Sequence, residues 1–469
     1  MNKIPYGRQN IDQNDIDAVV SALQSDYLTQ GPKVKDFEIK FAEYVGANYA
    51  VAVNNATSGL HLSVLALNLS KGDRVITTPI TFAASANCIR YAGAEVWFAD
   101  INPNTYLLSL ESVRSLLESK PKGFFKGIIP VDFAGLPINL EDFRSLANEH
   151  NLWLIEDACH APGGYFTDTK AVNQRCGNGN YADLGVFSFH PVKHIACGEG
   201  GMVTTNSEVL YNKLLLLRTH GITKENMQEN QGAWFYEMQA LGFNYRLTDI
   251  QAALGISQLK KLDLFLKSKR NLAKKYQAFF KEKGIKFRTE TNNTKANYWL
   301  MCVELENKNE RDLFLKSTND AQIMTRPIWQ LMYRLPMYKD CFRDSQKNAL
   351  FLEKEMMQKD NRLNRNYKDG KSVINAFLDD YALTIQAFTA LYEVTFDEKW
   401  LKHAQQLTDY AIAHFYDIET GFFFFDFCEI CCSTASGFKV HASKVGTLLS
   451  YLGRSIANFI FTFSQFVPV

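Results

Sequence analysis

From Tyr49 to Thr205 the chain alternates short apolar runs with stretches whose apolar positions recur at helical spacing. The runs are Tyr49–Val53, Arg74–Thr77, Glu95–Phe98, Gly127–Val131, Leu152–Ile155, Leu184–Ser188 and Met202–Thr205. Each is followed by a turn or helix signal. This pattern predicts a doubly wound α/β fold, with a seven-stranded, mostly parallel sheet covered on both faces. Ahead of it, Ile16, Val19, Val20 and Leu23 form one helical face behind Asp12 and Asn14. After it, Leu247 to Lys283 reads as one long helical region stopped by Gly284. Tyr298–Val303 and Ile323–Arg326 then read as strands of a smaller α+β domain.

The pattern changes again beyond Met357. Gln358 to Lys371 is polar, and apolar positions from Ile374 to Ala411 follow helical spacing with no strand. The expected organisation is a large α/β domain over 1–255, a small α+β domain over 256–357, an all-α fragment over 358–420 and an unassigned tail over 421–469. The tail contains four consecutive phenylalanines, Phe422 to Phe425, then Cys428, Cys431, Cys432 and His441. One C-x-x-C pair without a second does not make a zinc site, so no metal is expected.

Composition narrows the function classes. Lys plus Arg total 51 against 50 for Asp plus Glu, a formal charge of +1. That balance gives no reason to expect nucleic acid or an anionic membrane as partner. The nine cysteines are scattered, as in a reducing compartment, and Met1 to Gln9 lacks the apolar stretch of an export signal, so a cytoplasmic location is expected. Val445 to Val469 is apolar, but Arg454, Ser455, Asn458, Ser464 and Gln465 interrupt it, and a membrane span is not expected.

Ligands of doubly wound sheets bind at the carboxyl ends of the strands, and that is where Asn54, Thr78, Asp157 and Ser188 fall. The stretch Ser188-Phe189-His190-Pro191-Val192-Lys193 runs from a strand into the glycine-rich Gly198-Glu199-Gly200-Gly201, a setting that shields an amine from water and suits imine chemistry. A surface lysine in a loop is the alternative. Asp157 ends an apolar strand, where its charge needs either a cation, such as a protonated pyridine nitrogen, or a capping role in the next turn. His160 follows within reach of the same place, as a ligand contact or an ordinary polar contact. Asn54 to Gly59 leaves a strand and opens a helix, giving a phosphate cradle or simply a turn with an N-cap. Phe82, near another strand end, either stacks on a ring or packs in the core.

Leu28-Thr29-Gln30-Gly31-Pro32, Ile80-Thr81-Phe82-Ala83-Ala84, Glu156-Asp157-Ala158, Ser188 to Lys193 and Gly242 to Asp249 occur in the order found in the DegT/DnrJ/EryC1 family of sugar aminotransferases, which residues 1 to 350 resemble. The resemblance implies a fold-type I pyridoxal 5'-phosphate (PLP)-dependent transferase. It makes Lys193 the Schiff-base lysine, Asp157 the pyridinium partner, His160 the neighbour of the ring hydroxyl and Phe82 the stacking residue. Thr57, Ser58 and Ser188 become phosphate ligands, and Asn244 reaches the phosphate in a neighbouring subunit of a homodimer. It further implies glutamate as amino donor and, as acceptor, a UDP-linked 4-keto-6-deoxy-N-acetyl sugar of the pseudaminic acid branch. Met324 to Trp329 looks more like the branch making legionaminic acid or bacillosamine precursors. Two departures stand out: Ala196-Cys197 stands where the family usually reads Ala-Thr or Thr-Thr, making Cys197 an oxidation-sensitive candidate beside Lys193, and the family's closing segment is missing. Asn366 to Tyr416 instead resembles part of the α/α-barrel of spermatogenesis-associated thioredoxin-domain proteins, which leaves open an inactive protein whose C-terminal helices dock a partner.

Overall fold

Central strands with no polar face need cover on both sides, and the computed structural model provides it. It describes residues 4–223, 235–305 and 308–354, with a few positions between 405 and 423. Contacts divide the chain into one unit of residues 1–306 with 318–354 and a second of 307–317 with 355–469.

In the first unit, strands β1 (Tyr49–Val53), β2 (Arg74–Thr77), β3 (Glu95–Phe98), β4 (Gly127–Ile129) and β5 (Trp153–Asp157) are joined by a short pair, β6 (Tyr165–Thr167) and β7 (Asn173–Arg175), to β8 (Leu184–Ser188) and β9 (Gly201–Thr205). The main sheet has the order β1-β9-β8-β5-β4-β2-β3, and Phe342–Arg343 adds an eighth strand at its edge. The strands from β8 across to Phe342–Arg343 run parallel, while β9 is antiparallel to both β1 and β8. All seven strands read from the sequence are present. The eighth is two residues long, too short for any periodicity, and is held by Phe342 stacked on Trp97 at 3.7 Å between ring centroids. Ile128, Ile129, Leu154, Ile155, Leu184 and Val186 are fully buried, which accounts for their unbroken apolar runs.

Helix α1 (Gln13–Leu23) begins with a capping box, in which the Asp12 side chain accepts from the Asp15 N–H and the Asp15 side chain from the Asp12 N–H. Helix α2 (Pro32–Val45) starts on proline and ends at Gly46, whose φ of 85° suits a residue without Cβ. Helix α3 (Ala56–Ala66) is buried nearly all round against β8 and β9. Helices α4 (Ala84–Tyr91), α5 (Leu110–Glu118), α6 (Leu140–His150) and α7 (Glu208–Arg218) complete the layers.

The region read as one helix is two, α8 (Asp249–Leu259) and α9 (Leu262–Glu282). The break falls where the Lys261 ammonium reaches Asp15 at 2.5 Å and Asp12 at 3.0 Å, tying the joint to the start of α1. Gly284 ends α9 with φ of 68°. The strand expected over Tyr298–Val303 shrinks to Val303–Glu304, because the Asn297 and Leu300 N–H groups donate instead to Gly135 and Ala134 and Tyr298 takes φ of 54°. Of Ile323–Arg326 only Ile323 pairs, in a single bridge with Ile4.

In the second unit Tyr416–Asp417 pairs antiparallel with Phe422–Phe423. This strand corrects the all-α expectation for 358–420, since Tyr416–Asp417 bonds a partner segment five residues on instead of continuing a helix; Gln405 and Thr408 are helical, and the rest of that stretch, the Cys428, Cys431, Cys432 and His441 group and the apolar stretch 445–469 lie outside the described residues. No helix among the described residues is long and apolar enough to cross a membrane.

Candidate active site

The parallel strands end on one side of the sheet, and that side gathers most of the expected residues. Asp157 closes β5, and its backbone pairs with Val186 two residues before Ser188 closes β8. Asp157 is 5% exposed. Its Oδ2 accepts from the Ser85 hydroxyl at 2.6 Å and its Oδ1 from the Cys159 N–H at 3.2 Å. Among the described residues no cation forms an ion pair with it.

Lys193 follows β8 in a turn closed by its own N–H donating to the His190 carbonyl at 2.8 Å. Its ammonium lies 3.8 Å from the centre of the Trp299 ring. Burial pushes the Lys193 amine down to about 8, against the opposing pull of Asp157 and Cys159. A neutral amine near neutral pH is what attack on a carbonyl requires. His160, 3% exposed, stacks on the same Trp299, with 3.9 Å between ring centroids and 17° between planes. The Ala134 N–H points at His160 Nδ1 at 3.3 Å, which makes Nε2 the protonated nitrogen. Burial first, then the Lys193 charge, holds this imidazole neutral.

Phe82 is not core: it is 60% exposed, with its ring 6.0 Å from Trp329, which in turn lies 5.5 Å from His160. An aromatic chain therefore runs Phe82, Trp329, His160, Trp299 to Lys193. Thr57 and Ser58 occupy the first turn of α3. The Asn55 side chain caps the Ser58 N–H at 2.9 Å, while the N–H groups of Ala56 and Thr57 have no carbonyl within the helix to bond. Ser188 is joined to this turn through Gly201, its register partner in β9, since a Cβ on Gly201 would stand 2.7 Å from Ala56 N. Asn54 Oδ1, just ahead of the turn, is buried without a hydrogen-bond partner. Asn244 is exposed and bridges Thr219; two residues later Arg246 bridges Val53, so this segment borders the same strand end.

Ser85, Trp299 and Trp329 belong to the site and were not singled out by the sequence. Ser85 has no signal beyond following Phe82 by three residues; Trp329 lies in the Met324 to Trp329 segment, and Trp299 in a run whose pattern predicts a strand. Cys197 is a correction. It is 3% exposed, its sulfur packs near Gly255 among the Phe37 and Phe189 side chains, and burial pushes its thiol up, so it is an inert core residue.

The residues fit pyridoxal phosphate. Asp157 is a buried carboxylate in no ion pair among the described residues, the open first turn of α3 beside an unsatisfied Asn54 suits a phosphate, and Lys193 supplies a buried amine. Comparison with known proteins agrees. The DegT/DnrJ/EryC1/StrS aminotransferase family matches residues 9–376. The UDP-4-amino-4,6-dideoxy-N-acetyl-beta-L-altrosamine transaminase of Campylobacter jejuni is 43% identical over 281 residues, which cover 60% of this chain and 70% of that protein. Among solved structures, PseC of Helicobacter pylori, an aminotransferase involved in the biosynthesis of pseudoaminic acid, has a TM-score of 0.64 at 30% identity, over 72% of this chain and 88% of its own. The PLP form of the sugar aminotransferase Spr1654 from Streptococcus pneumoniae has a TM-score of 0.66 at 26% identity, over 75% and 91%. With a buried amine, a buried acid and an open helix turn at adjoining strand ends, the chain belongs to the DegT/DnrJ/EryC1/StrS aminotransferase family and is a PLP-dependent sugar aminotransferase.

Proposed function

We propose that this chain transfers an amino group from glutamate to the C4 ketone of a UDP-linked 4-keto-6-deoxy-N-acetyl-hexose, the acceptor of the pseudaminic acid branch. The observation that carries this reading is Lys193, a buried amine poised near neutrality at the strand end next to Asp157, in a chain 43% identical to an altrosamine transaminase. Bound at this site, PLP supplies an aldehyde that captures amines and a ring that accepts electrons from the bonds broken next to the nitrogen.

The chain's own residues do the rest. Asp157 keeps a positive charge at the ring nitrogen favourable, and Ser85 holds that carboxylate in place. Thr57, Ser58 and Ser188 take the phosphate. Lys193 would move the proton at the substrate carbon, and Trp299 holds its ammonium form by a cation–π contact. His160, neutral and stacked on Trp299, offers its Nε2 proton toward the ring hydroxyl, and Phe82 covers the open side. The exposed Asn244 is available to a second copy of the chain, which supports a homodimer with a shared site; the reading places the enzyme in the cytoplasm.

Arg326 lies 4.5 Å over the Tyr6 ring, and Trp329 contacts His160. The Met324 to Trp329 segment therefore borders the site and supports a second acceptor, the precursor of legionaminic acid or bacillosamine. The test is the visible spectrum of the full-length protein with PLP, before and after glutamate, followed by turnover with each UDP-4-keto sugar. A long-wavelength band bleached by glutamate, and preference for the L-altro acceptor, are expected. A band indifferent to glutamate overturns the donor, and preference for the other stereoisomer overturns the acceptor.

A further inference from the structure

Beside the Lys193 turn lies a cavity of about 200 Å³, between the N-terminal segment Tyr6 to Asn10 and the face of α9 that carries Ser268 and Lys269. Arg8, Lys193 and Lys269 line it, and none of its lining residues is a carboxylate. Neither Arg8 nor Lys269 forms an ion pair with a described residue. Burial pushes the Lys269 amine down, the sign of an ammonium held away from water without a counter-charge.

His194 makes the stronger case. It lines the same cavity, is 4% exposed, and has neither ring nitrogen in a hydrogen bond. The Asn297 backbone comes near the ring without reaching hydrogen-bond geometry. Burial, followed by the charge of Lys269, keeps the imidazole neutral, so it presents one donor and one acceptor. An unmet buried polar group destabilises the fold, and unpaired buried charge does so more. An anion seated against Lys269 and the His194 N–H removes these costs, and the exposed Arg8 adds a second positive charge at the rim.

We propose that this cavity binds a small, multiply charged anion of phosphate or carboxylate chemistry carried by a substrate, which rests on the aminotransferase reading above. The nucleotide sugar offers such a group in its diphosphate and the amino donor in its two carboxylates. The cavity differs from the phosphate cradle at α3: it lies on the α9 side of the Lys193 turn, and none of Thr57, Ser58 and Ser188 lines it.

The test is calorimetric titration of the full-length, PLP-loaded protein, whose α3 cradle is then filled, with inorganic pyrophosphate and with glutarate, a dicarboxylate without an amine to transfer. Lys269→Met and Arg8→Gln should each weaken one probe about tenfold or more, the loss expected for one charge-assisted contact. Dependence of pyrophosphate on these residues identifies the diphosphate as the occupant, and dependence of glutarate identifies the donor. Failure of both probes to bind, or Kd changes below about twofold in both variants, overturns the proposal. Arg8 is exposed, so Arg8→Gln reports even if Lys269→Met does not fold. The absorbance band is read separately. A chain with no band but with Lys269-dependent anion binding loses the aminotransferase reading and keeps the anion site.

Discussion

Replacing Asp132 by Asn should make the protein's stability less dependent on pH. Asp132, Glu156 and Cys176 are all buried, with one ligand atom of each within 4.8 Å of the others. Burial pushes the Asp132 carboxyl up to about 7. Glu156 is raised well above the usual carboxylate range, by burial first and then by the Asp132 charge, so the two acids share a proton. Raised folded values fix the sign. This stabilisation is complete below the unfolded carboxylate value near 4 and is lost as pH climbs through about 7. A shift of about three units corresponds to about 4 kcal/mol, an upper bound for a coupled pair. In Asp132→Asn the amide oxygen can still accept from the Ile138 N–H, now bonded at 2.8 Å, and the NH2 can donate to Glu156. Urea unfolding of wild type and variant at pH 5 and pH 8 cancels the other carboxylates in the difference. The variant should gain about 2–4 kcal/mol relative to wild type on going from pH 5 to pH 8. A difference that stays constant between the two pH values would refute the shared proton.

Lys193→Ala should fold, with unchanged far-UV circular dichroism, and show neither the long-wavelength band nor turnover; near-normal turnover would sink the assignment. In wild type, the rate at which the cofactor-free chain acquires that band should rise with pH and level off above about 8, as the depressed amine loses its proton; a rise continuing past pH 10 would mean that Lys193 is an ordinary exposed lysine. Ser85→Ala removes the 2.6 Å donor to Asp157, and hydrogen bonds to charged groups contribute about 1.5–3 kcal/mol, so urea unfolding of the cofactor-free variant should show a loss of that size. A loss under about 0.5 kcal/mol would mean that the bond does not hold Asp157.

The sheet was legible because its central strands are buried on both faces and are apolar without interruption, as in Leu184 to Phe187. The strand-end rule then grouped Asp157 with Ser188, and Lys193 follows Ser188 by five residues. What stayed hidden has local causes. Phe342–Arg343 is a strand only because Phe342 stacks on Trp97, a contact across more than two hundred residues. Trp299 joined the site because the backbone from Asn297 to Leu300 bonds the Ala134–Gly135 turn rather than a neighbouring strand. Ser85 differs from any small residue in a helix only by what lies opposite it. Cys197 was misjudged because sequence distance from Lys193 says nothing about which way a side chain points; its sulfur sits among the phenylalanines behind the turn.

Glu156 and Asp157 are neighbours in one strand, and their side chains must therefore leave it on opposite faces. Asp157 meets Ser85 beside the site; Glu156 meets Asp132, Cys176 and the Gly177 N–H, which it accepts at 2.7 Å. A slip of β5 by one residue that carried Glu156 to the Asp157 face would bring Ile155 into its place and leave the Gly177 N–H without its acceptor. The Asp132 N–H also donates to the Asp157 carbonyl at 3.1 Å, so the buried pair and the site share one stretch of backbone. The polar pocket behind the sheet thus fixes the register that turns Asp157 toward Ser85. Glu156→Gln keeps the acceptor for Gly177 and should leave PLP affinity within about threefold of wild type, whereas Glu156→Leu abandons both partners and should weaken it by about tenfold or more, at the 1–3 kcal/mol cost of an unmet buried group. Equal affinities for the two variants, measured by equilibrium dialysis, would show that the strand register is set by the apolar positions alone.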